Sequence, residues 1–238
     1  MRLCSHAERR ELRERRGELG DAWPEFMYHD PVANAHWDRH YEEFPDLQLY
    51  LVDEDDRYLA ESNAVPIPFG PGELPGDGWD AAMEQAFAGR PPVAVSAIAI
   101  TIGVEQRGKG LSKVMIEGMC KAVAARGLAD LVAPVRPSLK HRYPLVSAER
   151  YVEWRRDDGT LLDPWLRVHE GAGAKLVRVA PRSMRITGTV AEWEGWTGMV
   201  FPDSGAYVVP GALVPVEIDR ERDEGVYVEP NVWMHHRL

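Results

Sequence analysis

One segment restricts the possible folds of this chain more than any other: two apolar runs flank a glycine-containing turn and an amphipathic helix pattern. Val93 to Val104 is almost continuously apolar, which is typical of a strand buried on both faces of a sheet. Leu111 to Arg126 carries apolar residues at helical spacing, and Leu128 to Val135 is again apolar. Strand, helix and strand in this order predict a β-α-β unit.

The rest of the chain supplies further strand and helix signals. Leu47 to Val52 and Tyr58 to Phe69 are two extended runs around an acidic turn, which predicts a hairpin. Asp163-Pro164 is a typical helix start, and Lys175 to Val179 follows as a strand. We therefore expect an α/β protein, a mixed twisted sheet flanked by helices. Its predicted parts are a helical N-terminal part (1–45), a core (46–185) and a β-rich C-terminal extension packed on the core (186–238).

Composition excludes several classes of protein. The net charge of −10 argues against a nucleic-acid binder, which needs cations to neutralise phosphates. Two cysteines exclude a disulfide scaffold and a cysteine-rich zinc site. No apolar run approaches the roughly 20 residues of a membrane helix, and the N-terminus lacks a signal-peptide pattern, so we expect a cytoplasmic protein without a membrane partner. His36 and His40 have helical metal-pair spacing but no third ligand, so we expect a solvated or substrate-facing helix and no metal.

The turn between the first apolar run and the helix is the candidate for chemistry. It reads Gln106-Arg107-Gly108-Lys109-Gly110-Leu111-Ser112. Glycines allow a ligand to approach the backbone closely, and free N–H groups at a helix start favour an anion such as a pyrophosphate. A plain tight turn with solvated basic residues is the alternative. The Walker phosphate loop and the dinucleotide-binding glycine pattern are both absent.

These residues resemble the acyl-CoA motif of the GCN5-related N-acetyltransferase (GNAT) superfamily, Gln/Arg-x-x-Gly-x-Gly/Ala after the fourth strand. Arg107 and Gly110 match, whereas Ser112 stands where Gly or Ala is usual and Val104 where Pro is usual. The resemblance implies that acetyl-CoA or another acyl-CoA is the cosubstrate. It also implies a set of cofactor-binding residues, in which two strand residues lie along the pantetheine arm and the turn binds the pyrophosphate: Ile100, Ile102, Gln106, Arg107, Gly108, Lys109, Gly110, Leu111 and Ser112.

A second family motif follows in the helix that starts at Asp163. Members of the superfamily carry a Tyr there, followed by three residues and then a Gly and an aromatic residue, and the Tyr hydroxyl commonly protonates the departing CoA thiolate. Here His169 stands at the Tyr position and Ala174 at the aromatic position. The resemblance makes His169 a candidate acid, since an unperturbed histidine pKa near 6.5 permits proton transfer at neutral pH. A structural histidine, with water protonating the thiolate, is the other reading.

The reaction also needs a base that neutralises the attacking amine, commonly a carboxylate acting through water. The candidates are Glu61 on the second strand of the hairpin, Glu105 beside the phosphate turn, and Glu149 or Glu153 further on. No spacing singles out one of them. His235 and His236 near the C-terminus are interpreted as surface residues.

The resulting hypothesis is transfer of an acyl group from acyl-CoA to a small-molecule or peptide amine by direct attack. The first alternative is a GNAT-like module that binds acyl-CoA without catalysis, as a sensor or structural partner. The second is a nucleotide-binding enzyme with a different phosphate loop. The acceptor stays open, and the C-terminal extension would shape the acceptor site or a homodimer contact.

Overall fold

The structure is a computed structural model that describes residues 1–20 and 23–238. Its strands are β1 (Arg2–Ser5), β2 (Leu49–Val52), β3 (Tyr58–Ile67), β4 (Ala94–Ile102), β5 (Asp130–Val135), β6 (Lys175–Gly188), β7 (Gly205–Tyr207), β8 (Val216–Asp219) and β9 (Glu224–Arg237). The helices are α1 (Pro31–Glu43), α2 (Gly78–Ala86), α3 (Leu111–Ala125), α4 (Ala148–Tyr151), α5 (Pro164–Gly171) and α6 (Val190–Thr197). No described helix is long and apolar enough to cross a membrane.

The strands form one mixed sheet, as the sequence predicts. Its order is β1-β2-β3-β4-β5-β9-β8-β7, and β6 pairs with β9 outside this path. The β2–β3 hairpin is confirmed, and β4 and β5 pair in parallel around the crossover helix α3. The β-α-β prediction is therefore confirmed, and it places the glycine turn between the end of β4 and the start of α3.

The sheet carries a separate apolar core on each face. On the face that we call the α3 face, α3 and α5 pack on strand residues such as Val95, Leu131 and Met234. On the opposite face, the α2 face, α1, α2 and α6 pack on residues such as Ala94, Val132 and Trp233. Neighbouring strand residues serve opposite faces because side chains alternate along a strand.

The parallel strands β4 and β5 separate soon after they begin to pair. Only Val95 with Leu131 and Ser96 with Val132 are in register, although β4 continues to Ile102 and β5 to Val135. From Ala97 onward the edge of β4 that faces β5 has no strand partner. This separation opens a gap through the middle of the sheet.

The C-terminal region is continuous with this sheet. The strand predicted at Lys175 to Val179 extends to Gly188, so the predicted boundary at residue 185 falls inside β6. β9 has 14 residues and lies between β5 and β6, with Val232 opposite Val135 on one side and Val179 on the other.

The described N-terminal part is largely helical and the C-terminal part is rich in strands, as expected, but each contains one element that the sequence pattern does not predict. The region after Ile186, predicted as short β-like runs, includes helix α6, whose start is fixed by a capping box between Thr189 and Glu192. The N-terminal part, predicted as helical, begins with strand β1, in which Leu3 pairs with Leu51 of β2. Turns of 3₁₀ helix at residues 10–19 and 25–29 precede α1.

Candidate active site

A cavity of about 450 Å³ occupies the gap between β4 and β5. Its walls include Ala97 to Ile100 of β4 and Ala133 to Arg136 at the end of β5. Trp165 and His169 of α5 line it from the α3 face, whereas Trp79 of α2 and residues around α1 line it from the α2 face. The cavity therefore passes through the sheet and connects its two faces.

The turn that follows β4 is exposed. Glu105 and Arg107 to Gly110 are exposed, Gln106 and Ser112 are half-buried, and the buried Leu111 anchors the first turn of α3 in the core. Gly108 and Gly110 both have φ of +78°, in the left-handed region that favours glycine. A Cβ added to either glycine would meet no protein atom within 4 Å, so the space beside this backbone is open to a ligand.

Five successive N–H groups in this turn have no acceptor among the described residues, those of Gly108 to Ser112. The N–H groups of Gln106 and Arg107, which also belong to the predicted pyrophosphate site, are already used within the protein. Gln106 donates to the Gly103 carbonyl at 2.8 Å and Arg107 to the Val104 carbonyl at 3.4 Å. Free N–H groups and the positive end of the α3 dipole suit an anion. Lys109 adds a cation, and its Nζ donates to Gln106 Oε1 at 2.9 Å. These residues fit a pyrophosphate.

His169 lines the cavity at the C-terminal end of α5. It is 2% exposed, and its ring packs edge-on against Trp165 with 4.6 Å between ring centres. Its Nδ1 lies 3.0 Å from Nε2 of His236 on β9. Burial, reinforced by His236, lowers the pKa of His169 to about 3, so its ring is neutral at physiological pH.

An ion pair with complete hydrogen bonding lies on the α2 face of the cavity. Glu229 is fully buried and accepts from Arg136 Nε at 2.8 Å, from the Tyr227 hydroxyl at 2.7 Å and from Asn231 Nδ2 at 3.0 Å. Arg136 also donates from Nη2 to the Gly211 carbonyl at 2.6 Å. The carboxylate thus has four hydrogen bonds, counting both to Arg136, and this network holds the wall of the cavity.

The α2 side of the cavity is rich in aromatic side chains. Trp37 and Trp79 stack with 6.4 Å between ring centres, and Trp23 and Tyr28 contribute further surface. Arg16 and Asp38 bring opposite charges to the same chamber. Aromatic faces attract cations, and an arginine side chain can bind a carboxylate, so the chamber suits a small molecule with both kinds of group.

Glu61, one of the predicted bases, does not line the cavity. It is 1% exposed and accepts hydrogen bonds from Tyr41, from Tyr58 at 3.1 Å and from Asn63 at 3.0 Å. Its connection to the cavity is indirect, through Arg16, whose Nε lies 3.5 Å from Glu61 Oε2. Through these contacts the Glu61 side chain joins α1, β3 and Arg16.

The other predicted bases are also outside the cavity. Glu105 is exposed in a 3₁₀ turn beside the phosphate turn, and Glu149 and Glu153 are exposed near α4. Of the predicted catalytic residues the structure brings only His169 to the cavity, together with Ile100 from the predicted pantetheine strand. His36 and His40 lie on α1, where Trp37 and Asp38 between them line the cavity instead.

His236 is the residue that sequence reasoning missed. Its interpretation as a surface residue is wrong, since it is 3% exposed. The available signal was the alternation of faces along a strand, which places His236 two positions after the apolar Met234 and on the same face. Arg136 and Glu229 were also missed, and their sequence separation of 93 residues gives no local sign of their pairing.

Comparison with known proteins was made with sequences and with solved structures. No family model matches the chain. The arginine N-acetyltransferase avaD of Aspergillus versicolor is 32% identical over 251 residues, which cover 92% of this chain and 87% of the relative.

Two solved structures share the fold over nearly the whole chain. The loading GNATL domain of CurA from Lyngbya majuscula has a TM-score of 0.64 and 19% identity, covering 99% of this chain and 96% of that domain. The GNAT-like decarboxylase GphF, solved with isobutyryl-CoA, has a TM-score of 0.62 and 17% identity, covering 100% and 99%. Together with the glycine turn and the separated strands, the curated relative shows that the chain is an enzyme of the GCN5-related N-acetyltransferase superfamily, which uses acyl-CoA as its cosubstrate.

Proposed function

We propose that this protein transfers an acetyl or similar short acyl group from acyl-CoA to the amine of a small, cationic amino acid. The observation that carries the proposal is the cavity through the sheet. It joins the α3 face, where the glycine turn presents free N–H groups, to the aromatic chamber on the α2 face, and His169 lines the passage.

The cosubstrate fits the α3 side of this passage. The N–H groups of Gly108 to Ser112 would bind the pyrophosphate, and Lys109 would add charge. The unpaired edge of β4, with Ile100 and Ile102, leads from this turn toward the cavity and suits the amides of the pantetheine arm, which would pair with it as a strand does. The thioester would then lie in the gap between β4 and β5.

The acceptor fits the α2 side. The curated relative is named for arginine, and the chamber here offers the chemistry that such an amino acid needs. Trp37 and Trp79 provide aromatic surface for a cation, Asp38 provides a negative charge, and Arg16 provides a partner for a carboxylate. These features support an amino acid with a cationic side chain as the acceptor class.

The proton of the attacking amine needs an acceptor, and His169 is the group that the cavity offers. Among the described residues, the acids that line the cavity are Asp38, which is exposed and paired with Arg13, and Glu229, which is fully hydrogen-bonded. A neutral imidazole can take the proton as the amine nitrogen bonds to the thioester carbon. It can then give that proton to the sulfur as the carbon–sulfur bond breaks, which leaves an amide and free CoA.

The test is thiol release from acetyl-CoA with a panel of amines. The panel contains arginine, lysine, agmatine as arginine without its carboxylate, and glycine as an amino acid without a cationic side chain. We expect turnover with arginine, a higher KM for agmatine than for arginine, and little turnover with glycine. The acetylated product is identified by mass spectrometry.

Two results would contradict the proposal. Tight CoA binding in calorimetry without thiol release from any acceptor would identify a non-catalytic acyl-CoA-binding module. Thermal stabilisation by ATP or NAD but not by CoA would identify a nucleotide-binding enzyme, because a ligand stabilises the native state to which it binds.

A further inference from the structure

His169 on α5 and His236 on β9, which are 67 positions apart in the sequence, form a buried pair of rings. We propose that His236 is a positioning residue that holds His169 in the tautomer whose Nε2 lone pair faces the cavity, where it receives the proton of the acceptor amine. The inference rests on the proposed acyl transfer and names the residue that makes His169 competent for it.

The hydrogen bond between the rings decides what His169 can do. Nδ1 of His169 lies 3.0 Å from Nε2 of His236, so Nε2 is the nitrogen of His169 that is left to meet a substrate. Between two neutral imidazoles, one nitrogen donates and the other accepts. If His169 Nδ1–H donates, its Nε2 carries a lone pair and is a base. If His236 donates, His169 Nε2 carries the hydrogen and cannot take a proton.

The proposed arrangement is the first of these. Nδ1 of His236 is buried and makes no hydrogen bond of normal geometry in the described part of the chain. The backbone of Ala172, at the end of α5, acts on the His236 ring and favours its protonated state, as a carbonyl acceptor does. In the proposed arrangement His236 carries its hydrogen on Nδ1, and its Nε2 accepts from Nδ1–H of His169, 3.0 Å away. His169 then presents its Nε2 lone pair to the cavity.

Both rings stay neutral until a substrate supplies a proton. Burial lowers the pKa of His169 to about 3 and that of His236 to about 4. Among the described residues, His236 is the titratable group that acts on His169, and His235 is the one that acts on His236, while Trp165 packs on the His169 ring without charge. A proton that arrives at His169 Nε2 strengthens the Nδ1–H bond to His236, because hydrogen bonds of charged donors are the stronger ones.

The neighbouring residue His235 is a matched control. It lies on the opposite face of the same strand, and its Nε2 is 2.7 Å from Asp130 Oδ1, away from the cavity. The same substitution can therefore be made at two adjacent positions of β9, of which only one contacts His169.

The kinetic experiment compares His236→Leu, His236→Gln and His235→Leu with the wild type, using acetyl-CoA and the best acceptor of the panel. We expect His236→Leu to lower kcat by about 10- to 100-fold, as loss of a residue that orients a reactive histidine does, with KM for both substrates within about twofold. His236→Gln, whose Oε1 can accept the hydrogen bond from His169, recovers most of the activity. His235→Leu retains it. Thermal unfolding and CoA affinity are measured for each variant, so that kcat refers to folded enzyme.

The proposal is overturned if His236→Leu folds and binds CoA as the wild type does and keeps its kcat. It is equally overturned if His236→Gln is as slow as His236→Leu, or if only KM changes, since these results mean that His236 acts by packing or by shaping the substrate site.

A second measurement does not depend on the proposed reaction. Nitrogen-15 chemical shifts of the histidine rings at pH 7.5, in the free protein, distinguish a protonated from an unprotonated ring nitrogen. We expect His169 with hydrogen on Nδ1 in the wild type and a mixture of tautomers in His236→Leu. Hydrogen on Nε2 of His169 in the wild type overturns the inference even if acyl transfer is observed. The expected tautomer together with no turnover contradicts only the proposed function.

Discussion

The glycine turn at residues 106–112 and the pair formed by His169 and His236 are built in opposite ways. The turn is contiguous in sequence and exposed, and in the proposed function it acts through main-chain N–H groups. The pair joins α5 to β9 and is buried, and in the proposed function it acts through side chains. A function that needs only local backbone conformation is visible in a short stretch of sequence, whereas one that needs two distant strands or helices appears only when the sheet is assembled.

Gly110→Glu should have the largest effect and should affect only the turn. A carboxylate beside a diphosphate adds like charges at contact, and we expect CoA affinity to fall at least about 100-fold, or ~2.7 kcal/mol, in calorimetry. Gly127→Glu is the control, because Gly127 has φ of +71° at the other end of α3 and equal open space around it. Equal CoA affinity in both variants would show that this turn does not bind the pyrophosphate.

His169→Leu should lower kcat and leave CoA affinity almost unchanged, the reverse of what we expect for Gly110→Glu. We expect kcat to fall about 100-fold, within the range for removal of a general base, while CoA affinity stays within about twofold of the wild type. Steady-state kinetics and calorimetry on the same preparation measure both quantities. A fall in CoA affinity as large as that of Gly110→Glu would mean that His169 contributes to CoA binding as well as to catalysis.

The histidine pair should also leave a mark on stability below neutral pH. The folded pKa of His236 is lowered to about 4 by burial, so between about pH 6.5 and 4 the unfolded chain binds a proton that the folded protein does not. The free energy of unfolding therefore decreases as pH falls through this window. His236→Leu should flatten that decrease by up to about 1.4 kcal/mol per pH unit in urea titrations.

The contribution of other buried groups is the same in both proteins. Burial raises the pKa of Asp30 to about 6 and that of Asp80 to about 8, which changes stability with pH in the opposite direction. The difference between variant and wild type removes this common background. A pH slope in His236→Leu identical to that of the wild type would show that His236 binds its proton as readily in the folded protein as in the unfolded chain.

Lys109→Ala should have the smallest effect. Lys109 is exposed, so its attraction to a diphosphate is screened by salt, and we expect about a threefold loss of CoA affinity at low ionic strength that disappears at 1 M salt. Lys121→Ala, on the far part of α3, is the matched control and should not change affinity. A salt-independent loss of 100-fold would mean that Lys109, rather than the main chain, supplies most of the binding.

The fold and the turn could be predicted because their signals are local. Continuous apolar runs, glycines and the Asp163-Pro164 cap each specify structure within a few residues, and the hairpin, β4, α3, β5 and α5 were all located from them. The base of the reaction could not be assigned in this way. Glu61 has the residue type that a base requires, but Tyr41, Tyr58 and Asn63 use its oxygens, and only the assembled strands reveal this.

The C-terminal third shows the same limit in another form. The pattern after Ile186 has β character, but it does not show that β9 lies between β5 and β6 or that it brings His236 to α5. Strand order depends on which edges remain unpaired, and that is a property of the whole sheet.

The passage through the sheet has a kinetic consequence. The donor would enter between α3 and α5 and the acceptor beside Trp37 and Trp79, so each would have its own entrance. Neither molecule needs to leave before the other is exchanged, and the acylated product can dissociate while CoA stays bound. Such an enzyme would follow random-order sequential kinetics, and a dead-end complex of CoA with fresh acceptor would slow turnover when spent CoA accumulates.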